Sequence, residues 1–594
     1  ASGGERAAAG GGRRRRWAAM KVTLAFWWAC ALPVFLVLTL AFRVRALPAG
    51  LLAALLPATK LELSLSWRTA LVIAVVAVVT QSAANNPGAD MAGRFLVDLC
   101  YSRLGAAGYR LLGGLLPFAD EAAPLTEVAP PEGNTVRVVR TGKASGERLA
   151  VLAPLLMGPG VAPMGAPAVV LEPKVTYQTL LGFGGSFTES SAELLLNMSH
   201  ASQERILDAY FDERIGLGLT LGRLHMGSCD FSRGNWSCVE EPGDEALLSF
   251  SLLRYERAIL PMVRRAEAKA GRPLLLMASP WSPPAWMKDT GSMLRGGKLL
   301  PQYRAAWARH FVRFAEAFQA AGVPLWAFSV QNEPHAATPW ENCLYTHEEE
   351  RDFVRDHLGP ALEASGLGVK LFIWDHNRDD MLARASVILG DPAAARHVWG
   401  VAYHWYGDPR YEMWPPREGQ VLFDNLRRVH ELSPDKHIVM SEACQEMGPR
   451  IGDWTLGERY GEAIIRDLNN WLEAWIDWNL ILDPSGGPNH VHNYVSAPVI
   501  ADVERDKVLF LSSFFYIAHF SRFIKPGAKR ILAGSNRDAL ETTAFANPDG
   551  SLAVVVMNRM DSNISFWLQS VGQAARAEAP AHSISTFLLA GGAS

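Results

Sequence analysis

The pattern of apolar and polar positions divides the chain into distinct regions. Residues 22–42 (VTLAFWWACALPVFLVLTLAF) form one continuous apolar run. Between residues 177 and 524, short apolar runs of strand length alternate with amphipathic segments. Short β-like runs occupy both flanks of that region, at 134–176 and 525–594. Because such periodicities are typical of strands and helices, the pattern predicts an α/β domain flanked by two β-rich segments.

The central region contains eight strand-then-helix units. Amphipathic segments such as Tyr303–Ala320 and Glu348–Ala364 supply predicted helices between the strands. The predicted strands end near the following residues: Gly184, Arg223, Ser279, Asn332, Asp375, His404, Glu442 and Asn479. Eight such units predict a (β/α)8 TIM barrel, in which the carboxyl ends of all strands meet at one rim. A doubly wound open sheet is disfavoured, because Gly182-Phe-Gly-Gly185 lacks the spacing of a phosphate-binding loop.

The two β-rich flanks are expected to form one discontinuous side domain. Thr135–Val139 in the first flank and Ser551–Met557 in the second have the composition of strands. In the second flank, Asn547-Pro-Asp-Gly550 lies between two β-like runs and predicts a tight turn.

The N-terminal region has a composition unlike the rest of the chain. Residues 1–21 are rich in Gly, Ala and Arg and are expected to be disordered. The apolar run at 22–42 is long enough to cross a bilayer, and we interpret it as an uncleaved transmembrane anchor. The arginines before it would stay in the cytosol, which would place the barrel in the lumen of a lysosome or other endomembrane compartment, or outside the cell.

Two alternatives to a single anchor remain open. Met20 followed by an apolar run is also compatible with a cleaved signal peptide, although the run is unusually long for one. Residues 43–133 are interpreted as a linker, within which Ala70–Val79 is a second apolar stretch, compatible with a membrane span or with a buried or interfacial helix. If that stretch also spans the bilayer, the two form a hairpin and the barrel returns to the cytosol.

Charge and cysteine content exclude several classes of function. The chain has 57 basic and 60 acidic residues, a net charge of −3, which disfavours a nucleic-acid partner. The six cysteines form no CxxC or Cys/His cluster, so no metal or cofactor is expected. Cys229 and Cys238 are close enough in sequence to form a disulfide in an oxidising compartment. Three glycosylation sequons, at Asn197, Asn235 and Asn563, lead us to expect a glycoprotein.

Two predicted strands end in a glutamate. Glu333 follows the apolar run Trp326–Val330, and Glu442 follows His437–Ser441. Either glutamate alone is more often a solvated residue at a strand end. Because strand ends converge in a barrel, the pair predicts the two carboxyl groups of a glycoside hydrolase.

Eight segments in order along residues 165–590 resemble the family-30 glycoside hydrolases. They are GFGGSFTESS at 182–191, GRLHMGSCDFS at 222–232, ASPWSPPAWMK at 278–288, QNEP at 331–334, YHWY at 403–406, SEAC at 441–444, DWNL at 477–480 and GGPNHVHNYV at 486–495. The resemblance implies a retaining β-glucosidase that cleaves glucosylceramide to glucose and ceramide. Other members of the family cleave β-1,6-glucan or xylan, and a non-catalytic barrel that binds glycolipid is the alternative from a different class.

The resemblance also implies residue roles. Glu333 is the implied general acid/base and Glu442 the implied nucleophile. The other implied site residues bind the sugar (Asp230, Trp281, Asn332, Trp478 and Asn493) or orient the carboxyl groups (Arg223, His404 and Tyr406). Simpler alternatives exist for some of them: core packing for either Trp, a helix cap for Asp230 and a structural hydrogen bond for His404.

The chain also departs from the animal members of the family. His490 stands where those members have a Trp at the edge of the cleft, Arg223 is followed by Leu-His rather than Val-Pro, and the cysteine-rich start is missing. The expected partner is a glycolipid in a membrane, with an activator protein left open. Aromatic and apolar residues after two strands are candidates for an apolar mouth of the cleft: Trp340, Tyr411, Met413 and Trp414.

Overall fold

The computed structural model describes residues 126–408 and 422–591. The predicted basic terminus, the predicted anchor at 22–42 and nearly all of the predicted linker lie outside the described residues, as do Tyr411, Met413 and Trp414. Among the described residues, no helix combines the length and the apolar character that crossing a bilayer requires.

Five strands precede the barrel. They are β1 (Thr135–Gly142), β2 (Ala150–Val151), β3 (Leu155–Leu156), β4 (Gly158–Pro159) and β5 (Ala168–Thr179).

Eight parallel strands then close into a barrel. They are β6 (Gly182–Ser186), β7 (Leu221–Met226), β8 (Leu275–Pro280), β9 (Ala327–Ser329), β10 (Lys370–Asn377), β11 (Gly400–His404), β12 (His437–Glu442) and β13 (Ala474–Asn479). Strand β13 pairs with β6, so the sheet has no open edge and the doubly wound alternative is excluded. The predicted (β/α)8 barrel is therefore confirmed. Every predicted strand end lies within one of these strands except Asn332, which follows the short strand β9.

Twelve α-helices occur among the described residues. They are α1 (Glu189–Asn197), α2 (His200–Phe211), α3 (Leu253–Arg257), α4 (Ile259–Ala270), α5 (Arg304–Ala320), α6 (His347–Phe353), α7 (Gly359–Ser365), α8 (Met381–Leu389), α9 (Pro392–Ala395), α10 (Asp424–Leu432), α11 (Trp454–Asn469) and α12 (Ser512–Ser521). A π-helical turn, Val354–Leu358, joins α6 to α7, so these helices are nearly continuous.

Strands after the barrel complete two further sheets. The first is a small three-stranded sheet of β14 (Ile481–Leu482), β15 (Val499–Asp502) and β16 (Lys507–Phe510). The second contains β17 (Lys529–Ser535), β18 (Glu541–Ala546), β19 (Leu552–Asn558), β20 (Ile564–Ser570), β21 (Gln573–Ala579) and β22 (Ser583–Leu589), together with β1–β5. In it β1 pairs with β22, and β5 lies between β17 and β20. Segments from both flanks of the barrel thus form one eleven-stranded sheet.

The inside of the barrel is layered, with an apolar layer below a polar one. Leu221, Met277, Ala327 and Val439 are fully buried in one apolar cluster. Side chains two residues apart on a strand point to the same side. The next inward position on each of these strands is therefore polar, and these positions are Arg223, Ser279, Ser329 and Ser441. The polar layer lies toward the carboxyl ends of the strands, the side on which barrel enzymes carry their sites.

A bulge in β10 breaks this alternation. The pairing register between β10 and β11 shifts between Trp374 and His376, and Trp374 and Asp375 both have positive φ values, 76° and 58°. A bulge inserts one extra residue and re-aims the side chains beyond it. Here it directs Asp375 into the polar layer, where the alternation from Phe372 would have placed Trp374.

Candidate active site

Arg223 lies at the centre of the polar layer and is fully buried. Its Nη1 donates to Glu442 Oε2 at 2.6 Å, and its Nη2 donates to Asn332 Oδ1 at 2.8 Å and to Asp375 Oδ2 at 2.9 Å. Because arginine only donates, the Asn332 atom that faces it must be the amide oxygen. The NH₂ group of Asn332 is thereby left as a donor for a sugar hydroxyl.

Asp375 accepts hydrogen bonds from five side chains. Oδ2 accepts from Arg223 and from the hydroxyls of Ser279 and Ser329, and Oδ1 accepts from Ser441 and from His404 Nε2 at 3.0 Å. Burial raises the pKa of Asp375, but Arg223 and the other donors lower it far below its ordinary value. Asp375 is therefore a permanent negative charge that fixes both Arg223 and His404.

His404 connects Asp375 to the first catalytic candidate. Its Nδ1 lies 3.1 Å from Glu333 Oε1 and 4.0 Å from Glu442 Oε1. Burial lowers the pKa of His404, but Glu442, Asp375 and Glu333 outweigh burial and raise it to about 9. At neutral pH His404 is thus an imidazolium that donates to Asp375 from one nitrogen and to Glu333 from the other.

Glu442 is held from both sides. Its Oε2 accepts from Arg223, and its Oε1 accepts from the hydroxyl of Tyr406 at 2.9 Å. The predicted neighbours of the nucleophile candidate are therefore in contact with it. Both of these hydrogen bonds favour the ionised carboxylate, the form that attacks carbon.

The separation of the two glutamates distinguishes between the two classes of glycosidase. One oxygen of Glu333 and one of Glu442 lie within 4.8 Å of each other. Retaining enzymes place their carboxyl groups about 5–5.5 Å apart, whereas inverting enzymes need about 6.5–9.5 Å to admit a water. The geometry therefore fits retention.

The pKa values of the pair differ from what the implied roles require. Burial raises the pKa of Glu442, and His404 and Arg223 oppose this without cancelling it. Burial also raises the pKa of Glu333, but His376 and His404 lower it below its ordinary value. The proton that an acid at Glu333 would deliver accordingly resides on His404, one hydrogen bond away.

A cavity of about 260 Å³ opens above the two glutamates. Trp281 and Trp478 line it and stack on each other, with ring centroids 5.2 Å apart and an interplanar angle of 23°. Arg223 lies over the face of Trp281 at 4.8 Å from the centroid. Both Trp side chains therefore line the cavity and also pack against their neighbours. The predicted role in the sugar pocket and the alternative of core packing both hold for them.

Asp230 and Asn493 also line this cavity. The Nδ2 atom of Asn493 donates to Asp230 Oδ2 at 2.9 Å, and Asp230 caps no helix. All ten predicted site residues are thus brought together at one end of the barrel.

His490 contacts the backbone at Asp230 and lies beside Glu341, and the sequence did not predict these contacts. His490 Nδ1 lies 3.0 Å from the Asp230 carbonyl oxygen and 3.1 Å from that of Ser232. Because both partners only accept, Nδ1 must carry a proton. The other ring nitrogen lies 3.5 Å from Glu341 Oε1, and Glu341 is fully buried. Burial raises the pKa of Glu341, whose Oε1 accepts from the hydroxyl of Ser228 at 2.5 Å.

The disulfide that the sequence allowed between Cys229 and Cys238 is not formed. Both cysteines are free and buried. Cys229 packs in the apolar cluster around Trp281, and Cys238 packs in the main barrel cluster, so the two side chains face different cores. Burial raises the pKa of Cys238 to about 12, which keeps its thiol protonated.

Two further site residues had no role in the sequence-based prediction. Asp375 appears there only as a strand end, and its bulged position carries no sequence signal. His376, 3.9 Å from Glu333 Oε1, was also missed. Of the predicted mouth residues, Trp340 lines the cavity, and the others lie in the undescribed segment 409–421.

Comparisons with known proteins agree with this geometry. The glycosyl hydrolase family 30 TIM-barrel domain matches residues 180–524, and the glycosyl hydrolase family 30 beta sandwich domain matches residues 527–587. The lysosomal acid glucosylceramidase of Mus musculus is 35% identical over 436 residues, which cover 71% of this chain and 83% of that protein.

Two solved structures are also similar. The SrfJ protein from Salmonella typhimurium is 30% identical with a TM-score of 0.72, and the match covers 77% of this chain and 100% of SrfJ. An endo-β-1,6-glucanase is 27% identical with a TM-score of 0.68 and the same coverage. With a closed barrel, a carboxyl pair at retaining distance and both family domains matched in order, the chain belongs to glycoside hydrolase family 30.

Proposed function

We propose that the protein is a retaining β-glucosidase that hydrolyses glucosylceramide to glucose and ceramide. The observation that carries the chemistry is the carboxyl pair within 4.8 Å, with Glu442 held by Arg223 and Tyr406. The observation that favours the substrate is the similarity to a glucosylceramidase over most of its length.

In the first step, Glu442 attacks the anomeric carbon of the glucose unit. The bond to the ceramide oxygen breaks, and that oxygen takes a proton from Glu333. We propose that a bound sugar displaces water from Glu333 and raises its pKa, so that the proton passes from His404 Nδ1 along the 3.1 Å hydrogen bond. His404 then remains neutral, with its Nε2 proton held by Asp375.

In the second step, water attacks the glycosyl ester on Glu442. Glu333, now ionised, removes a proton from that water as general base. The negative charge of Glu442 raises the pKa of His404, and this effect is absent while Glu442 is an ester. Attack releases glucose with its anomeric configuration retained and restores the Glu442 carboxylate.

The sugar contacts follow from the cavity. The NH₂ group of Asn332 donates to the 2-hydroxyl, a contact that strengthens in the oxocarbenium-like transition state. Asp230 accepts from hydroxyls farther along the ring. The volume of about 260 Å³ lies below the range of about 300–1,000 Å³ that larger ligands occupy, which suits a single terminal sugar.

Endo-acting cleavage of β-1,6-glucan is the second candidate, because an endo-β-1,6-glucanase matches at 27% identity. A short-chain fluorescent glucosylceramide and soluble β-1,6-glucan, assayed side by side, separate the two. We expect release of fluorescent ceramide and little reducing sugar from the glucan. The reverse result would replace the proposed substrate and leave the retaining chemistry intact.

We also propose that the apolar run at 22–42 tethers the enzyme to a membrane, with the barrel in a lumen or outside the cell. A glycolipid keeps its tails in the bilayer, so an enzyme resident at that surface meets the headgroup more often. Protease protection of the barrel in sealed microsomes would support this orientation. Digestion of the barrel without detergent would contradict it.

A further inference from the structure

A second group of side chains with metal-ligand chemistry meets at the catalytic rim. It consists of His335, His347 and Asp380, each of which offers one ligand atom, and these atoms all lie within 4.8 Å of one another. His335 follows β9, His347 is the first residue of α6, and Asp380 directly precedes α8. Three separate rim segments therefore converge on one point.

Both imidazole rings lie close to the same carboxylate oxygen, Asp380 Oδ2. His347 Nε2 lies 2.6 Å and His335 Nδ1 lies 3.3 Å from Asp380 Oδ2. The two rings stack, with centroids 5.3 Å apart and an interplanar angle of 23°. Two imidazole nitrogens and one carboxylate on a single centre are the ligand set of many zinc sites that keep a fourth position open.

The position of Asp380 gives an independent indication. It is the N-cap residue of α8, where an aspartate side chain ordinarily accepts from a backbone N–H of the first turn. Asp380 makes no such bond, whereas Asp391 and Asp453 cap α9 and α11 with their side chains. The Asp380 carboxylate therefore makes no hydrogen bond to the first turn of α8 and instead lies beside His335 and His347.

The surroundings hold the ligands in place. A capping box between Thr346 and Glu349 fixes the start of α6, and Arg384 donates to the carbonyl oxygens of Tyr345 and Thr346. Trp374 packs edge-on against His335 with centroids 5.1 Å apart.

We propose that His335, His347 and Asp380 bind one zinc-class divalent ion, with water in the fourth position. Bonds of about 2.0–2.2 Å place tetrahedral ligand atoms about 3.3–3.6 Å apart. The His335–Asp380 distance of 3.3 Å already lies at the lower end of this range, and the His347–Asp380 contact of 2.6 Å must lengthen to reach it. The side chains are 24–39% exposed, so an ion has a path from solvent. A bound ion would link the three rim segments.

Calorimetric titration of the full chain with Zn²⁺ near neutral pH tests the site. We expect one ion per chain and a rise in the melting temperature, because binding to the folded state alone stabilises it. His335→Ala, His347→Ala and Asp380→Asn should each weaken binding at least about tenfold. His200→Ala, at a histidine whose side chain is 85% exposed, is the matched control and should bind like the wild type.

The catalytic cluster needs its own control, because Glu333, His404 and Glu442 also lie within 4.8 Å of one another. Glu442→Gln should keep the affinity for Zn²⁺ if the proposed site is the one that binds. Loss of binding in Glu442→Gln, or unchanged affinity in His335→Ala and Asp380→Asn, would overturn the proposal, as would no binding to the wild type.

A measurement on the unaltered chain covers the case in which a variant fails to fold. Bound Zn²⁺ should protect His335 and His347 from diethyl pyrocarbonate, as mapped by mass spectrometry, while His200 remains reactive. If Zn²⁺ left the reactivity of each of the three histidines unchanged, the assignment would be overturned.

Discussion

At the scale of single residues, the site is built on Asp375. This carboxylate fixes Arg223, which orients Glu442, and His404, which bonds to Glu333. The buried carboxylate of Asp375, which is not itself a catalytic candidate, therefore positions both Glu442 and Glu333. The bulge in β10 that brings it inward is a backbone feature without a sequence signal, so Asp375 was assigned no role, whereas the resemblance to family 30 implied the ten surrounding site residues.

Glu333→Ala should separate the two proposed roles. A β-glucoside with an acidic leaving group needs little protonation, so its first step should survive while that of glucosylceramide is lost. Azide should then accelerate breakdown of the glycosyl enzyme, because it attacks without a general base. Steady-state rates with and without azide measure this. Glu363→Ala, at an exposed glutamate, is the control. If neither azide nor the leaving group changed the rates of Glu333→Ala, the acid/base role of Glu333 would be contradicted.

His404 should make stability depend on pH. Its pKa is about 9 in the folded protein, whereas an unperturbed histidine in the unfolded chain has a pKa of about 6.5, so the stability that it contributes is fully present below about pH 6.5. That contribution, on the order of 3 kcal/mol, is lost as the pH rises through about 9. The stability advantage of the wild type over His404→Gln in urea unfolding should therefore shrink over this interval. An advantage that stays constant would show that His404 is neutral in the folded state.

At the scale of elements, the sequence predicted strands better than their local distortions. Periodicity located all eight barrel strands because their runs are apolar and end in polar residues. The turn predicted at Asn547–Gly550 connects β18 and β19, and Asn547 bonds to Ser551 across it. The group of His335, His347 and Asp380 could not be predicted, because its members belong to separate segments that only the closed barrel brings together.

Close strand pairing in the barrel depends on glycine. A Cβ atom at Gly400 on β11 would lie 2.4 Å from the His437 carbonyl oxygen and 2.8 Å from a ring carbon of Phe372. Gly400→Ala should therefore cost about 1–3 kcal/mol or more, and thermal unfolding should report a lower melting temperature. Gly534→Ala on β17 is the matched control, since a Cβ there meets nothing within 4 Å. Equal melting temperatures for the two variants would contradict this close packing of the strands.

At the scale of the whole molecule, the barrel and the side domain are joined through α12. His519 on this helix contacts the hydroxyls of Thr586 on β22 and Thr141 on β1, each at 2.9 Å. Burial lowers the pKa of His519 to about 3, so the ring is neutral and one nitrogen donates while the other accepts. One helix thus binds both flanking segments of the discontinuous sheet, and sequence patterns could suggest that sheet but not this contact.

Deletion of residues 1–125 should affect substrates unequally. It removes the apolar run at 22–42 and keeps Thr126, whose carbonyl oxygen accepts from Arg522. Hydrolysis of a soluble aryl β-glucoside should stay nearly unchanged, whereas hydrolysis of glucosylceramide in vesicles should fall and recover in part in detergent micelles. Initial rates on both substrates measure this, and an equal loss on both would contradict the proposed tether.

The central claim is that Glu442 forms a covalent glycosyl ester. A 2-deoxy-2-fluoro-β-glucoside with an acidic leaving group slows both steps but lets the ester accumulate. We predict one burst of leaving group per enzyme and, by peptide mass spectrometry, a fluoroglucosyl group on Glu442. Glu442→Gln should give neither the burst nor the label. A label on Glu333, Asp375 or any other carboxylate, or turnover without a trapped ester, would contradict the assignment of Glu442 as the nucleophile.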